Sequence, residues 1–166
     1  MNFSDVSLNL LKIDEPKSLN DSCYLFNLLY NNEPFIINSN VEYILNKNNK
    51  ELYILEKNEL KQFNQIFKHL KDLFYDLHDN WFEEKFNMEI YNNIFKEILY
   101  INIEENCANL KCLVDDQVIE SIENDEKSIK GIPTFEIRDI EFKDNYIIIN
   151  IYLKEFFIRD HLEENQ

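Results

Sequence analysis

Hydrophobic residues in the middle of the chain recur at the spacing of an amphipathic helix. Between Asn58 and Leu77 they fall every three or four positions, at Leu60, Phe63, Ile66, Phe67, Leu70, Leu73, Phe74 and Leu77. This spacing places them on one side of an α-helix, and Asn58 is the expected N-cap. A second, shorter repeat predicts a helix from Met88 to Tyr100, with Asn87 as its cap.

Apolar runs before the helices predict a first group of strands. These strands are expected at residues 6–13, 23–30, 35–37, 41–46 and 52–56. Asn31 and Asn32, followed by Pro34, indicate a turn, because asparagine tolerates a positive φ angle and proline fixes its own. The segment Lys47–Lys50 between the last two strands is typical of a hairpin loop, which would place its lysines at an exposed tip.

A second group of strands is predicted after the helices, at residues 101–103, 110–114, 135–142 and 146–157. A turn is expected at 106–109. Arg138 and Asp139 interrupt the alternation of the third strand, which indicates a β-bulge. The isoleucines at 147–149 predict burial on both faces of the last strand.

The order of strands, helices and strands predicts an α+β fold. We expect an antiparallel sheet or a small OB-like barrel, with the two central helices inserted between the strand groups. A closed barrel and an open sheet both fit the pattern. The length of 166 residues suits a single domain, 1–166. Within it, an acidic mobile loop is expected at about 115–131 and a polar C-terminal tail at 159–166.

Composition indicates a folded intracellular protein. Hydrophobic residues make up 45% of the chain, which excludes a disordered class. Met1–Asp14 has neither a basic start nor an apolar stretch, so no secretory leader is expected. No apolar run reaches the length of a membrane span. Cys23, Cys107 and Cys112 do not form a disulfide framework and are expected to be reduced thiols.

The residue patterns that accompany common catalytic chemistry are missing. Gly131 is the only glycine, which excludes a P-loop and a dinucleotide-binding fingerprint, since both require several glycines. No histidine or cysteine pair completes a zinc site around Cys107 and Cys112. His69 and His78 are interpreted as solvated or capping residues. We therefore predict a non-enzymatic protein with no catalytic residues, no metal site and no cofactor.

One basic window stands out in an acidic chain whose formal net charge is −15. Six lysines and three glutamates lie between Tyr43 and Lys71. Proteins that bind single strands combine lysines, which contact phosphates, with aromatic rings, which stack on bases. The predicted nucleic-acid-binding residues are Tyr43, Lys47, Lys50, Tyr53, Lys57, Lys61, Lys68 and Trp81. The alternative is that these rings fill the core and that the lysines solvate a hairpin tip and a helix face.

The order of segments resembles a family of small proteins from nucleocytoplasmic large DNA viruses. The resemblance is carried by the opening NFSDV at 2–6, the CYLFNLLY strand followed by 35–39, the Asn80-Trp81-Phe82 segment after the long helix, NLKC at 109–112, and PTFEIRDIEF at 133–142. Some of that group resemble the OB-fold single-stranded DNA-binding proteins of phage replication. This chain departs from them in lacking a basic patch after Ile37 and a glycine and tryptophan near Asp139.

Two functions follow from these observations. The first is a non-catalytic viral accessory protein that binds single-stranded nucleic acid. The alternative is a structural or assembly protein of a virion or multi-subunit complex, with other viral proteins as partners. Either would act in the host cytoplasm, the nucleus or the virion. A homo-oligomer is compatible with both functions. A stacking binder must expose aromatic rings beside lysines, whereas an assembly protein should expose an apolar patch larger than a few hundred Å².

Overall fold

Ten strands and two α-helices make up the regular structure of the described residues. The computed structural model describes residues 1–46, 48, 50–96, 100–103, 106–112 and 124–158. The strands are β1 (Leu11–Asn20), β2 (Cys23–Tyr30), β3 (Glu33–Pro34), β4 (Ile36–Asn38), β5 (Tyr43–Asn46), β6 (Glu51–Ile54), β7 (Tyr100–Ile103), β8 (Asn106–Cys112), β9 (Ser128–Lys143) and β10 (Tyr146–Phe157). The helices α1 (Lys57–Leu77) and α2 (Met88–Ile94) lie between β6 and β7 in the chain.

The strands form one mixed sheet in the order β1-β2-β9-β10-β7-β8-β6-β5. The short strands β3 and β4 pair with β2 and β9. The α+β class, with two helices between strand groups, is confirmed, whereas an OB-like barrel is not. The sheet is also not antiparallel throughout, because β10 pairs with β7 and β6 pairs with β8 in parallel. The helices that separate β6 from β8 in the chain supply the long connection that parallel strands need.

The long strand β9 organises the sheet. It pairs with β10 along one edge and with β2, β4 and β5 in succession along the other. Its register with β10 shifts at two points, and at the first of them Asp139 faces Asn150 while Ile137 faces Ile151. Arg138 is the extra residue between them, so the predicted bulge is confirmed.

Several predicted elements have the expected bounds. The segments 23–30 and 146–157 are strands over their whole predicted lengths, and β5 and β6 form the expected hairpin. Asn31 and Asn32 have φ angles of 50° and 64°, as the turn requires. Asp144 and Asn145, at 52° and 63°, form the second such turn, between β9 and β10.

Other boundaries differ from the prediction. The first strand begins at Leu11, after a 3-10 turn at Leu8–Leu10, and α1 has Glu56 rather than Asn58 as its N-cap. The predicted turn at 106–109 lies in β8, and β9 already begins at Ser128, inside the predicted mobile loop. Ile148 is half-buried, so β10 is not fully buried on both faces. The rest of the loop up to residue 123 and the tail 159–166 lie outside the described residues.

The second helix is shorter than predicted. Asn87 caps it as expected, and its side chain accepts a hydrogen bond from the Ile90 N–H at 2.8 Å. The helix ends at Ile94, because Phe95 adopts an extended conformation and forms a parallel bridge with Ile147 of β10. Sheet pairing therefore replaces the helical hydrogen bonds at this point.

Aromatic side chains join α1 to the sheet. The helix buries Phe63, Ile66, Leu70 and Phe74. The ring of Phe74 meets that of Phe26 from β2 edge to face, with centroids 4.9 Å apart. Edge-to-face contacts of this kind stabilise beyond their buried area. Orientation of α1 on the sheet is thus fixed by rings from both.

Of the two interpretations of His78, the capping one is confirmed, since the residue is the C-cap of α1, and the solvated one is wrong, since its side chain is buried. Its side chain is 1% exposed and its ring stacks on Phe86 with a centroid distance of 5.1 Å. Nδ1 donates to the Tyr75 carbonyl, and Nε2 accepts a hydrogen bond from the Phe86 N–H at 3.0 Å. The imidazole therefore connects the end of α1 to the segment that leads to α2, which a spacing argument on the sequence does not reveal.

We predict that Gly131→Ala destabilises the fold by about 1–3 kcal/mol, because a Cβ atom has no room there. It would lie 2.6 Å from a Phe156 ring carbon and 2.9 Å from the Phe157 carbonyl oxygen. Urea denaturation measures the loss. The same substitution in a Phe156→Leu background should cost less, since the ring contact is gone; an equal cost in both backgrounds would contradict this explanation.

Candidate nucleic-acid interface

The three predicted helix lysines form a single row on the surface of α1 together with a fourth lysine, Lys71. Lys57, Lys61, Lys68 and Lys71 follow one another at intervals of four, seven and three residues, which places them on one side of the helix. The first three are exposed and Lys71 is partly buried. At 1.5 Å per residue the row is about 21 Å long. We call these four residues the lysine ridge; it lies opposite the buried face of α1.

The two predicted tyrosines lie in the core and not beside the ridge. Tyr43 is 0% exposed and Tyr53 is 4% exposed. The Tyr43 hydroxyl donates to the Glu59 carboxylate, and the Tyr53 hydroxyl donates to Glu51. A base cannot reach either ring in this fold, so neither tyrosine can stack on a base as predicted. Both residues sit on short strands that are covered by neighbours, and a local pattern does not reveal this.

Trp81 also packs mainly against protein. Its ring is half-buried and lies 4.8 Å from Phe26 and 5.5 Å from Phe74, measured between centroids. These contacts support the alternative interpretation of the sequence, in which the ring fills the core.

The predicted hairpin tip is present between β5 and β6. Lys50 is exposed and has a φ angle of 53°. Lys47 lies outside the described residues. The tip therefore keeps at least one lysine at the surface, in the position that the sequence predicts.

A groove beside the ridge brings lysines and aromatic rings together. It lies between α1 and α2 and has a volume of about 530 Å³. Its lining residues are Asn64, Phe67, Lys68, Lys71, Asp72, Asn92 and Phe95. We call it the α1–α2 groove. Because Lys68 and Lys71 belong to both features, the groove opens along the ridge.

Neighbouring side chains contact the two aromatic rings that line the groove, Phe67 and Phe95. Phe67 lies nearly parallel to the buried Phe63, with an interplanar angle of 15° and centroids 6.3 Å apart. Phe95 is 4% exposed, and the Lys71 ammonium lies 5.6 Å from its ring centroid. A cation over an aromatic face at this distance is a favourable contact. Phe67, which is only half-buried, is therefore the ring that a ligand can meet.

Hydrogen bonds hold the two helices at a fixed separation. The Tyr91 hydroxyl of α2 donates to the Lys71 carbonyl of α1. Burial raises the pKa of Tyr91 above its ordinary value, so this hydroxyl stays protonated and keeps donating. The Tyr75 hydroxyl donates to the Phe86 carbonyl at 3.2 Å. The groove is thus a preformed feature of the fold.

A buried carboxylate anchors the other end of α1. Glu59 is 7% exposed and accepts two hydrogen-bond contacts from the Ser39 hydroxyl, at 2.7 and 2.9 Å, besides the one from Tyr43. Burial raises the pKa of Glu59, while its hydrogen bonds partly offset that rise. Burial likewise raises the pKa of Tyr43. This polar cluster ties the start of the lysine ridge to β5.

A second pair of basic and aromatic side chains lies where Phe95 meets the sheet. The Lys96 ammonium lies 4.2 Å from the ring centroid of Tyr146, which is 46% exposed. Lys96 follows the groove residue Phe95 directly, and its N–H donates to the Ile147 carbonyl at 2.8 Å. An exposed ring beside a lysine is the arrangement expected of a stacking surface.

Sequence reasoning identified the lysines but missed the rings. Phe67 and Phe95 were counted as apolar or left unassigned, and Asn64 and Asn92 gave no signal. The interval pattern of the lysines along α1 could have located the ridge, because it repeats at helical spacing. The partnership of α1 and α2 depends on tertiary contacts and has no local signature.

Three further features of the described part of the chain concern metal ligation, thiol chemistry and membrane insertion. Within it, no group of three or more histidine, cysteine, aspartate or glutamate side chains is close enough to hold a metal ion. Cys23 is a buried free thiol. Neither described helix is both long and apolar enough to span a bilayer.

No family model, curated protein or solved structure matches the chain.

Proposed function

We propose that the protein is a non-catalytic accessory protein that binds single-stranded nucleic acid along α1. The observation that carries the proposal is the placement of the lysine ridge along an open groove that contains a half-buried phenylalanine. Lysines supply attraction to phosphates, and an accessible ring supplies a surface for a base. The viral setting, with other viral proteins as partners, is part of the proposal and rests on the resemblance of segment order.

The charge distribution favours a small, selective contact. The ridge is a basic surface on a chain with a formal net charge of −15. Asp72 and Asp76 are exposed on the same helix. A strongly acidic remainder repels a nucleic acid that approaches elsewhere. Duplex DNA, which has a higher charge density and presents no free bases, would gain little from the groove.

The test is fluorescence anisotropy of a labelled single strand over a salt series. Four lysines that each neutralise one phosphate give a slope of about −3 for log K against log salt on a single strand. We expect micromolar affinity at low salt, and weaker binding to a duplex of the same length.

Removing ridge charges should weaken binding strongly. The combined substitution Lys57→Gln, Lys61→Gln and Lys68→Gln is expected to lower affinity at least about tenfold and to bring the salt slope close to −1. All three residues are exposed, so folding should be unaffected. The matched control is Lys17→Gln, Lys127→Gln and Lys143→Gln, three exposed lysines outside α1. Equal binding by the ridge variant and the control, or no binding at low salt, would refute the proposal.

The assembly function is the second candidate, and exposed apolar side chains at the end of β10 favour it. Phe157 is 67% exposed and Ile158 is 53% exposed. Contiguous exposed apolar surface can mark a contact site between proteins. If no oligonucleotide binds at low salt, co-purification from the native source should identify a protein partner, and the ridge would then be a solvated helix face.

A further inference from the structure

The side chains that line the α1–α2 groove differ in charge and in hydrogen-bonding capacity. Lys68 and Lys71 provide cationic donors, and Asp72 provides a carboxylate that only accepts. Asn64 on α1 and Asn92 on α2 carry amides that both donate and accept. The half-buried ring of Phe67 provides a flat apolar surface among them. A ligand that satisfies all of these groups is flat, has a hydrogen-bonding edge and carries an anion.

We propose that the α1–α2 groove holds one unstacked base that carries an exocyclic amino group, with its phosphate on Lys68. This inference rests on the proposed function, because the base arrives as part of a strand bound along the ridge. It goes further in assigning a pocket for a single base and a chemical preference at that position. Adenine, cytosine and guanine carry the amino group; thymine and uracil do not.

The size of the groove fits one nucleotide. Its volume of about 530 Å³ lies within the range of small-ligand sites, roughly 300–1,000 Å³. The groove continues into the lysine ridge through Lys68, so a base inside it stays connected to a backbone outside. A second base would have no further ring of α1 to stack on among the groove residues, because Phe67 is the one aromatic residue of α1 in that lining.

Asp72 is the residue that gives the preference. An ionised carboxylate accepts hydrogen bonds and cannot donate, so it suits an amino group and repels a carbonyl oxygen. The carbonyls of thymine and uracil present acceptors at the position where cytosine and adenine present their amino groups. Asn64 and Asn92 do not discriminate in this way, because a rotated amide suits either group. A binder that used only the lysines would not distinguish bases at all.

The test uses nine-nucleotide oligothymidines in which the central residue is thymidine, cytidine, adenosine or an abasic site. The full chain is titrated against each labelled strand at one salt concentration. We expect the cytidine and adenosine strands to bind about fivefold more tightly than the thymidine strand, as for one additional hydrogen bond. The abasic strand should bind more weakly than all three.

Two matched pairs of variants separate the groove from the ridge. Asp72→Asn should abolish the preference for an amino-bearing base, whereas Asp76→Asn, an equal charge change outside the groove lining, should retain it. Phe67→Leu should lower the affinity for the cytidine strand toward the affinity for the abasic strand. It should leave the salt slope of binding unchanged. Lys17→Gln should alter neither the base preference nor the salt slope. Circular dichroism and thermal melting confirm that each variant is folded.

The outcomes for the groove and for the ridge are distinguishable. If all four strands bind equally and binding still depends on the ridge lysines, the base pocket is refuted and the proposed function stands. If the preference survives Asp72→Asn, the assignment of Asp72 is refuted. If no strand binds to the wild-type chain, the proposed function fails and the pocket fails with it.

Discussion

Replacing Glu59 with alanine is expected to lower the free energy of unfolding by about 2–4 kcal/mol. The carboxylate is 7% exposed and accepts hydrogen bonds from Ser39 and Tyr43. Alanine would leave both hydroxyls without this acceptor inside the fold, and buried polar groups without partners are costly. The start of α1 would also lose its connection to β5.

Urea denaturation, followed by circular dichroism, measures this change. Glu56→Ala is the matched control, because Glu56 precedes α1 by one residue and its side chain makes no capping hydrogen bond. Its loss should change stability by no more than about 0.5 kcal/mol. If the two alanine variants are equally stable, the hydrogen bonds of the buried cluster add nothing to the stability. The negative charge near the start of α1 would then account for the whole effect.

The raised pKa of Glu59 gives this cluster a defined dependence on pH. Burial raises the pKa above the ordinary value of 4.5, so the folded state holds the proton at a pH where the unfolded state has released it. The stability that comes from this proton is fully present below about pH 4.5 and is lost as pH rises through the folded-state pKa. Stability therefore falls with rising pH through this group.

Glu59→Gln should remove that dependence, because glutamine does not titrate. The wild-type chain should be more stable relative to Glu59→Gln at pH 4 than at pH 7. Asp139, whose pKa is also raised by burial, is present in both chains and cancels in the difference. A difference that stays constant, or that grows with pH, would contradict the assignment.

Local patterns predicted the elements whose cause is local. The helix α1 was found because its apolar residues repeat over many turns, and the turn at 31–32 because asparagine accepts positive φ angles. The strand bounds of β2 and β10 followed from continuous apolar runs with turns beside them. In each case, the information lies within a few neighbouring residues.

Tertiary contacts decided what the sequence could not predict. Phe95 leaves the helical conformation because β10 offers it a bridge to Ile147, and no pattern within α2 encodes that partner. His78 is buried because Phe86 returns to cover it. The candidate site followed the same rule: the lysines were visible as a run of charge, whereas the groove depends on tertiary contacts such as the hydrogen bond from Tyr91 of α2 to α1.

Phe74→Ala is expected to destabilise the protein by about 3–5 kcal/mol. Phe74 is 0% exposed. Its ring centroid lies 4.9 Å from that of Phe26, 5.5 Å from Trp81 and 6.5 Å from Tyr91. One side chain therefore contacts β2, the segment after α1, and α2, so its removal leaves a cavity that three elements must share.

A surface phenylalanine provides the matched control for this loss. Phe157→Ala removes the same atoms from a residue that is 67% exposed, and it should change stability by no more than about 0.5 kcal/mol. Circular dichroism is the primary probe, because Trp81 touches Phe74 and its fluorescence would change for local reasons. A loss below about 1 kcal/mol for Phe74→Ala would mean that the cluster is loosely packed.

The milder Phe74→Leu substitution tests whether core packing affects nucleic-acid binding at the lysine ridge. It should cost about 1–2 kcal/mol, because leucine fills part of the space and loses the ring contacts. The lysine ridge lies on the opposite side of α1, so the folded Phe74→Leu protein should bind a single strand with the salt slope of the wild-type chain. A changed slope would mean that the ridge depends on the packing beneath it, and the ridge variants would then report on folding as well as on binding.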